Sequence, residues 1–109
     1  MRPKKAAKTN VKYKPCYDLS VLQKAVAKNP VNSFTKSALV GIAEADLSFD
    51  EAVELVALIV PVNFYKSMPC ENDPGWYQDV YTVPYYDTVM YIKFTNYPHG
   101  KVVISFKER

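Results

Sequence analysis

The chain has 109 residues, of which 49% are hydrophobic and 14% aromatic, so one compact domain with a sizeable core is expected. The longest apolar stretch, residues 52–62, contains Glu54 and Pro61 and falls short of the roughly 20 residues needed to cross a bilayer. The start of the chain is charged and has no apolar stretch behind it, unlike a secretory signal. A soluble, cytoplasmic protein is therefore expected.

The net charge of +3 is concentrated at the start of the chain, where residues 1–14 carry six lysines and arginines and no acid. The rest of the chain has eight basic and eleven acidic residues, so charge alone does not predict an RNA-binding protein. We expect residues 1–14 to form a basic flexible tail and residues 15–109 to form a single domain. The tail either attracts phosphate or is a solvated terminus without a function.

Three helices are predicted in the first half of the chain. Apolar residues recur at helical spacing over residues 18–28, before Asn29 and Pro30, and again over residues 35–45. The third helix begins at Ser48, which forms a capping box with Glu51, and Pro61 ends it. Its predicted buried face consists of Ala52, Val53, Val56, Ile59 and Val60.

After Pro61 the sequence becomes rich in aromatic and β-branched residues separated by turn formers, which is typical of strands. The predicted strands cover residues 64–68, 76–83, 88–96 and 101–107, with connections at 72–75, 84–87 and 96–100. Helices followed by strands predict an α+β fold, with N-terminal helices packed on a C-terminal antiparallel sheet.

The alternation of apolar and polar residues predicts the register of the last strands. If Asn96 pairs with Val102, Tyr91 lies opposite Lys107. If Val83 pairs with Thr88, Gln78 lies opposite Lys93. One face of the sheet would then carry five polar side chains, namely Gln78, Tyr91, Lys93, Ser105 and Lys107. The alternative is that this face is merely the polar, solvated side of an antiparallel sheet.

These residue types suit the cleavage of RNA. Ammonium groups and hydrogen-bond donors can stabilise charge on the phosphoryl oxygens, and RNA supplies its own nucleophile, the 2′-hydroxyl group. Neither a metal nor another cofactor is predicted, because His99 is the single histidine, Cys16 and Cys70 lie far apart, and no cluster has metal-ligand spacing. The aromatic residues Trp76, Tyr81, Tyr85 and Tyr86 either stack on bases or pack in the protein.

Four segments in order, together with the helical half, resemble the motility quorum-sensing regulator (MqsR) family of toxins. They are Phe64-Tyr65-Lys66-Ser67-Met68, Gln78-Asp79-Val80-Tyr81, Tyr91-Ile92-Lys93 and Ile104-Ser105-Phe106-Lys107-Glu108. The resemblance covers about residues 17–109. It implies a fold similar to the RelE-type ribonucleases and membership of a type II toxin–antitoxin pair. It also implies sequence-selective cleavage of messenger RNA, inhibition of translation and growth, and a protein antitoxin that binds zinc and DNA.

The resemblance further implies that Lys66, Gln78, Tyr91 and Lys107 are catalytic. From their chemistry we expect Lys66 and Lys107 to neutralise the scissile phosphate, Tyr91 to contact it and Gln78 to orient the ribose or base. Three further residues, Lys93, Ser105 and Tyr81, are expected to contact the RNA. Two alternatives involve no catalysis: an RNA-binding or regulatory protein that uses the same sheet face, and a purely protein-binding partner.

Overall fold

A computed structural model describes residues 10–71, 73–97 and 100–109. In this part of the chain three α-helices precede a four-stranded antiparallel sheet, which confirms the predicted α+β arrangement. The helices are α1 (Leu19–Lys28), α2 (Lys36–Glu44) and α3 (Phe49–Leu58), and the strands are β1 (Phe64–Cys70), β2 (Asp73–Tyr85), β3 (Thr88–Phe94) and β4 (Val103–Glu108). None of the helices described is long and apolar enough to cross a membrane.

Side-chain caps define where the helices begin. Asp18, Thr35 and Ser48 each accept a hydrogen bond from a backbone amide in the first turn of the helix that follows. The predicted capping box at Ser48 is present: its hydroxyl accepts from the amide of Glu51 at 3.0 Å, and the Glu51 carboxylate accepts from the amide of Ser48 at 2.8 Å. The caps therefore fix all three helix starts close to their predicted positions.

The end of α3 differs from the prediction. The helix stops at Leu58 because Ile59 is already extended, and a 3₁₀ turn over Pro61–Asn63 leads into β1. Val60 consequently leaves the predicted buried face and is 48% exposed, while Leu55 packs in the core. A proline stops a helix before its own position, since its ring excludes the helical conformation of the residue before it.

The register of β3 and β4 is confirmed over most of its length, because Tyr91 pairs with Lys107 and Lys93 with Ser105. The predicted pair of Asn96 and Val102 does not form. A bulge after Lys93 places Phe94 opposite Val103 instead. Bulges of this kind add one residue to one strand and change the register locally.

The predicted pairing of β2 with β3 is wrong by two residues. Tyr85, not Val83, pairs with Thr88, and Val80, not Gln78, lies opposite Lys93. The turn is shorter than predicted because Tyr86 adopts a φ of 56°, a conformation that usually requires glycine or asparagine. A shift of two residues preserves the alternation, so every side chain of the hairpin stays on its predicted face.

The core lies between the helices and one face of the sheet. Its largest fully buried side chains include Tyr81, Phe94, Phe106, Leu22 and Met90. Gly41 lets α2 approach the backbone of β4 closely, because a Cβ at this position would lie 1.7 Å from the Phe106 carbonyl oxygen. The interior glycine that weakens α2 as an isolated helix therefore serves the packing of α2 on β4.

The segment before α1 is attached to the sheet. Lys12 exchanges two backbone hydrogen bonds of 2.8 Å with Ser67 in β1. The buried carboxylate of Asp79 accepts from the amides of Cys16 and Tyr17 at 3.0–3.1 Å. Of the predicted basic tail, residues 1–9 lie outside the described residues, whereas residues 10–14 precede these contacts or take part in them. The part of the chain held by the sheet thus begins before the predicted boundary at residue 14.

Candidate active site on the exposed sheet face

A cationic depression of about 270 Å³ lies on the sheet face that the helices leave uncovered. We call it the lysine pocket, and it is lined by Lys66, Tyr91, Lys93 and Lys107 together with Tyr65, Met68 and Val80. Three of the four residues predicted to be catalytic are therefore together, and Lys93, which was predicted to bind RNA, lies among them. The side chains come from all four strands.

Cross-strand pairing explains how the strands bring these side chains together. Lys66 pairs with Val80, Val80 with Lys93, and Lys93 with Ser105, so the four residues form one row across the sheet. Tyr91 and its partner Lys107 lie in the next row on the same face. Val80 separates Lys66 from Lys93, and Lys107 lies diagonal to Lys93 across the β3–β4 pair. Diagonal positions are roughly 7–8 Å apart, a distance that long lysine side chains can span, so two ammonium groups can contact one phosphate.

The surroundings of Lys93 perturb its titration. Partial burial, and then the positive charges of Lys107 and Lys66, lower the pKa of Lys93 below the ordinary lysine value, while Glu71 acts in the opposite direction. The charged form of Lys93 is therefore less favourable than that of an ordinary exposed lysine. A bound anion would counteract this effect, because its negative charge would attract the three ammonium groups, which repel one another.

The fourth predicted catalytic residue, Gln78, lies in an adjoining depression of about 400 Å³. We call this the amide pocket, and it is lined by Ser37, Cys70, Glu71, Gln78, Lys93, Tyr97, Ile104 and Ser105. Gln78 is 7% exposed, and its side-chain nitrogen donates to the Pro69 carbonyl oxygen at 3.2 Å. The two pockets share Lys93, so Gln78 and Ser105 are placed beside the lysine cluster.

Tyr81 must be removed from the predicted RNA contacts. It is 1% exposed, and it packs edge-on against Phe64 and Phe94 in the core, with ring centroids 5.5 and 5.7 Å away. Its position in β2 alternates with Val80, so its ring lies on the covered face of the sheet. Burial raises the pKa of Tyr81 to about 12, so its phenol stays neutral at physiological pH.

Several residues near the lysines escaped the sequence-based prediction. Tyr65 is the additional residue of a bulge in β1 and lies next to Lys66. The Nζ atom of Lys66 lies 5.0 Å from the centroid of the Tyr65 ring. Tyr65, Tyr91 and Arg109 line a third depression of about 490 Å³ on the opposite side of the lysine pocket from the amide pocket. Arg109 could have been found by alternation, since it follows Ser105 and Lys107 at intervals of two.

Trp76, Tyr85 and Tyr86 pack against aromatic side chains of the protein. Trp76 stacks on Tyr97 with ring centroids 5.0 Å apart, and Tyr85 packs against Tyr86 at the β2–β3 turn. His99 lies outside the described residues. Among the residues that are described, no three His, Cys, Asp or Glu side chains gather in a way that could hold a metal ion.

The sequence is similar to known toxins over nearly its whole length. The family described as motility quorum-sensing regulator, toxin of MqsA, matches residues 14–108. The mRNA interferase toxin MqsR of Escherichia coli (strain K12) is 34% identical over 91 residues, which are 84% of this chain and 91% of that protein. All four strands, and with them both pockets, lie within the region of the family match.

Proposed function

The chain belongs to the MqsR toxin family, and on this basis we propose that it is an endoribonuclease that cuts messenger RNA on the exposed face of its sheet. The observation that carries the proposal is the convergence of Lys66, Lys93, Lys107 and Tyr91 in one pocket. Three cations around one depression, with a phenol among them, form a site suited to a single phosphodiester.

In the proposed reaction the 2′-oxygen of the RNA attacks the adjacent phosphorus, and the bond from phosphorus to the 5′-oxygen breaks. The 2′-hydroxyl loses its proton and the leaving oxygen gains one, giving a 2′,3′-cyclic phosphate and a 5′-hydroxyl end. Lys66 and Lys107 neutralise the phosphoryl oxygens as charge builds on them. Tyr91 contacts the same phosphate and can relay a proton, while Gln78 orients the ribose or base.

This reaction requires alignment and charge neutralisation rather than a protein nucleophile, because the substrate carries its own. We therefore propose that cleavage is independent of metal. We also propose that it is selective for sequence, as the resemblance to the family implies. Lys93 and Ser105 contribute further contacts to the RNA, since both lie in the same row of the sheet as Lys66. The site residues and their roles are part of this proposal.

The family and its relative also bear on the partners and on the cellular role. As a toxin of this family, the chain has an RNA substrate and an antitoxin partner. We propose that it acts in the cytoplasm, that its activity stops translation and growth, and that its antitoxin binds zinc and DNA. The noncatalytic alternatives are not favoured, because the relative is named an mRNA interferase.

The decisive experiment measures cleavage of a long RNA by the pure protein in the presence of a chelator. Lys66→Ala and Lys107→Ala should each lower the rate on the order of 100-fold, since each removes a charge that stabilises the transition state. Lys24→Ala, which removes an exposed lysine of α1, is the matched control and should retain the wild-type rate. Growth arrest on expression should follow the same order.

The products distinguish this proposal from the alternatives. Cyclic-phosphate ends support the ribonuclease. A gel shift without new ends would identify a noncatalytic RNA-binding protein, and no interaction with RNA would favour a purely protein-binding role. Full activity of both lysine variants would show that the pocket is not the site, even if RNA is cut.

A further inference from the structure

The amide pocket is lined by more kinds of polar side chain than phosphate binding requires. The residues that line it include Glu71, Gln78, Ser37 and Ser105, whose side chains carry a carboxylate, an amide and two hydroxyl groups, and it joins the lysine pocket at Lys93. A carboxylate beside a phosphate would repel it. The mixture of acceptors and donors therefore indicates a neutral ligand with hydrogen-bonding groups of both kinds.

The pocket also has an apolar side that suits a flat ring. Tyr97 and Ile104 line it, and the Tyr97 ring is held by stacking on Trp76 at an interplanar angle of 23°. The Cys70 thiol beside the Tyr97 hydroxyl raises the pKa of Tyr97 to about 12, so the phenol remains neutral. The volume of about 400 Å³ lies within the range of roughly 300–1,000 Å³ that is usual for small-molecule sites.

Gln78 is fixed in this wall rather than free in solvent. Its side-chain nitrogen donates to the Pro69 carbonyl oxygen, and in the described part of the chain this is the one hydrogen bond of its amide group. An amide group has two donors and two acceptor positions, so a buried amide with one bond retains capacity for a ligand. The bond to Pro69 fixes the orientation in which that capacity is presented.

We propose that the amide pocket binds one unstacked nucleobase of the RNA, next to the phosphate held in the lysine pocket, and reads the hydrogen-bonding edge of that base. The inference rests on the proposed function and adds to it the place where sequence is recognised. Single-stranded RNA is recognised in this manner, by bases that leave the stack, lie against an aromatic ring and bond through their edges.

The pocket on the other side of the lysines makes a useful contrast. It is lined by Tyr65, Tyr91 and Arg109 together with Val62, Asn63, Thr82, Pro84 and Val89, and it has no carboxylate among its described lining residues. Aromatic and guanidinium groups stack on any base, whereas an acceptor such as Glu71 accepts only from an N–H group in the right place. Base selectivity is therefore assigned to the amide pocket.

The test is to map the cuts made in an RNA pool of randomised sequence and to compare base preferences position by position. Glu71→Gln and Ser105→Ala should each relax the preference at one position adjoining the cut by roughly tenfold, because one good contact to a base edge discriminates to that extent. Preferences at the other positions should be retained. Ser105→Thr, which keeps the hydroxyl group, should restore the wild-type profile.

Glu54→Gln is the matched control, because Glu54 is an exposed acid on α3. An unchanged profile in Glu71→Gln and Ser105→Ala, or an equal loss of rate on every sequence, would overturn the inference. So would a defect confined to inhibition by the antitoxin, which would assign the pocket to the protein partner. Absence of cleavage by the wild-type protein would instead refute the proposed function.

Discussion

The two faces of the sheet differ in how deeply their side chains are buried and in the charge that they carry. The covered face carries Tyr81, Ile92, Phe94 and Phe106, all at most 1% exposed and all neutral. The uncovered face carries lysines whose charges act unfavourably on Lys93. The covered face contributes stability by burying apolar area, whereas the uncovered face keeps like charges together without stabilising the fold. A cluster that folding does not require is evidence of a binding site.

The largest effect of a substitution is expected on the covered face. Phe94→Ala should lower the free energy of unfolding by about 3–5 kcal/mol, because it leaves a cavity in a closely packed core. Lys107→Ala, on the other face, should change it by less than about 0.5 kcal/mol while it impairs RNA cleavage. Denaturant titration of both variants measures the difference, and similar losses of stability would mean that the two faces are not separate in function.

A smaller loss is expected where α2 supports β4. Gly41→Ala places a methyl group against the Phe106 carbonyl oxygen and should destabilise the protein by about 1–3 kcal/mol, despite the higher helix propensity of alanine. Gly75→Ala is the matched control, since its Cβ would meet Asp73 Oδ1 at an ordinary distance of 3.7 Å. Thermal unfolding compares the two. Equal stability of both variants would refute the close approach of α2 to β4.

The smallest effect concerns the charge on Lys93, and its sign is opposite. Because the pKa of Lys93 is lowered in the folded protein, the unfolded chain binds its proton more readily, and stability rises with pH between that lowered value and the ordinary 10.5. Lys93→Met should abolish this component. It should raise stability at neutral pH and low salt by up to about 1 kcal/mol, since partly solvated charges repel only modestly.

Urea titrations of wild type and Lys93→Met at several pH values give the difference directly. Tyr17 and Tyr81, whose pKa values are raised to about 12, lower stability as pH rises through 10, but they do so equally in both proteins. A Lys93→Met protein that is less stable than wild type at neutral pH would show that the cation supports the fold, contrary to the comparison.

Local rules predicted the features that depend on few residues. The capping box at Ser48 is a pattern of side chain and spacing, and the pairing of Tyr91 with Lys107 follows from two alternating strands that must bury the same face. The sequence therefore predicted the set of Tyr91, Lys93 and Lys107 on one face of the sheet. Lys66 was added to it by family resemblance, and the pairing of Lys66 with Val80 places it in the same row.

The misses have two physical causes, namely backbone conformations that no residue type predicts and contacts that only the tertiary structure creates. Tyr86 takes a positive φ without being glycine, and the bulge in β1 inserts Tyr65 beside Lys66. Tyr81 was predicted to contact RNA because tyrosine suits both a core and a base, and only the tertiary structure decides between them. Glu71 and Ser37 reach the amide pocket from a turn and a helix, which strand alternation does not relate.

The central claim is that one phosphodiester of the RNA is held among Lys66, Lys93 and Lys107. Its most direct test is a crystal structure of the protein with an RNA that carries a 2′-deoxy nucleotide at a mapped cut and so cannot react. The phosphate that follows the modified sugar should lie within hydrogen-bond distance of at least two of these ammonium groups, with Tyr91 beside it. A phosphate bound on the helical side of the molecule, or along the outer edge of β1, would contradict the account.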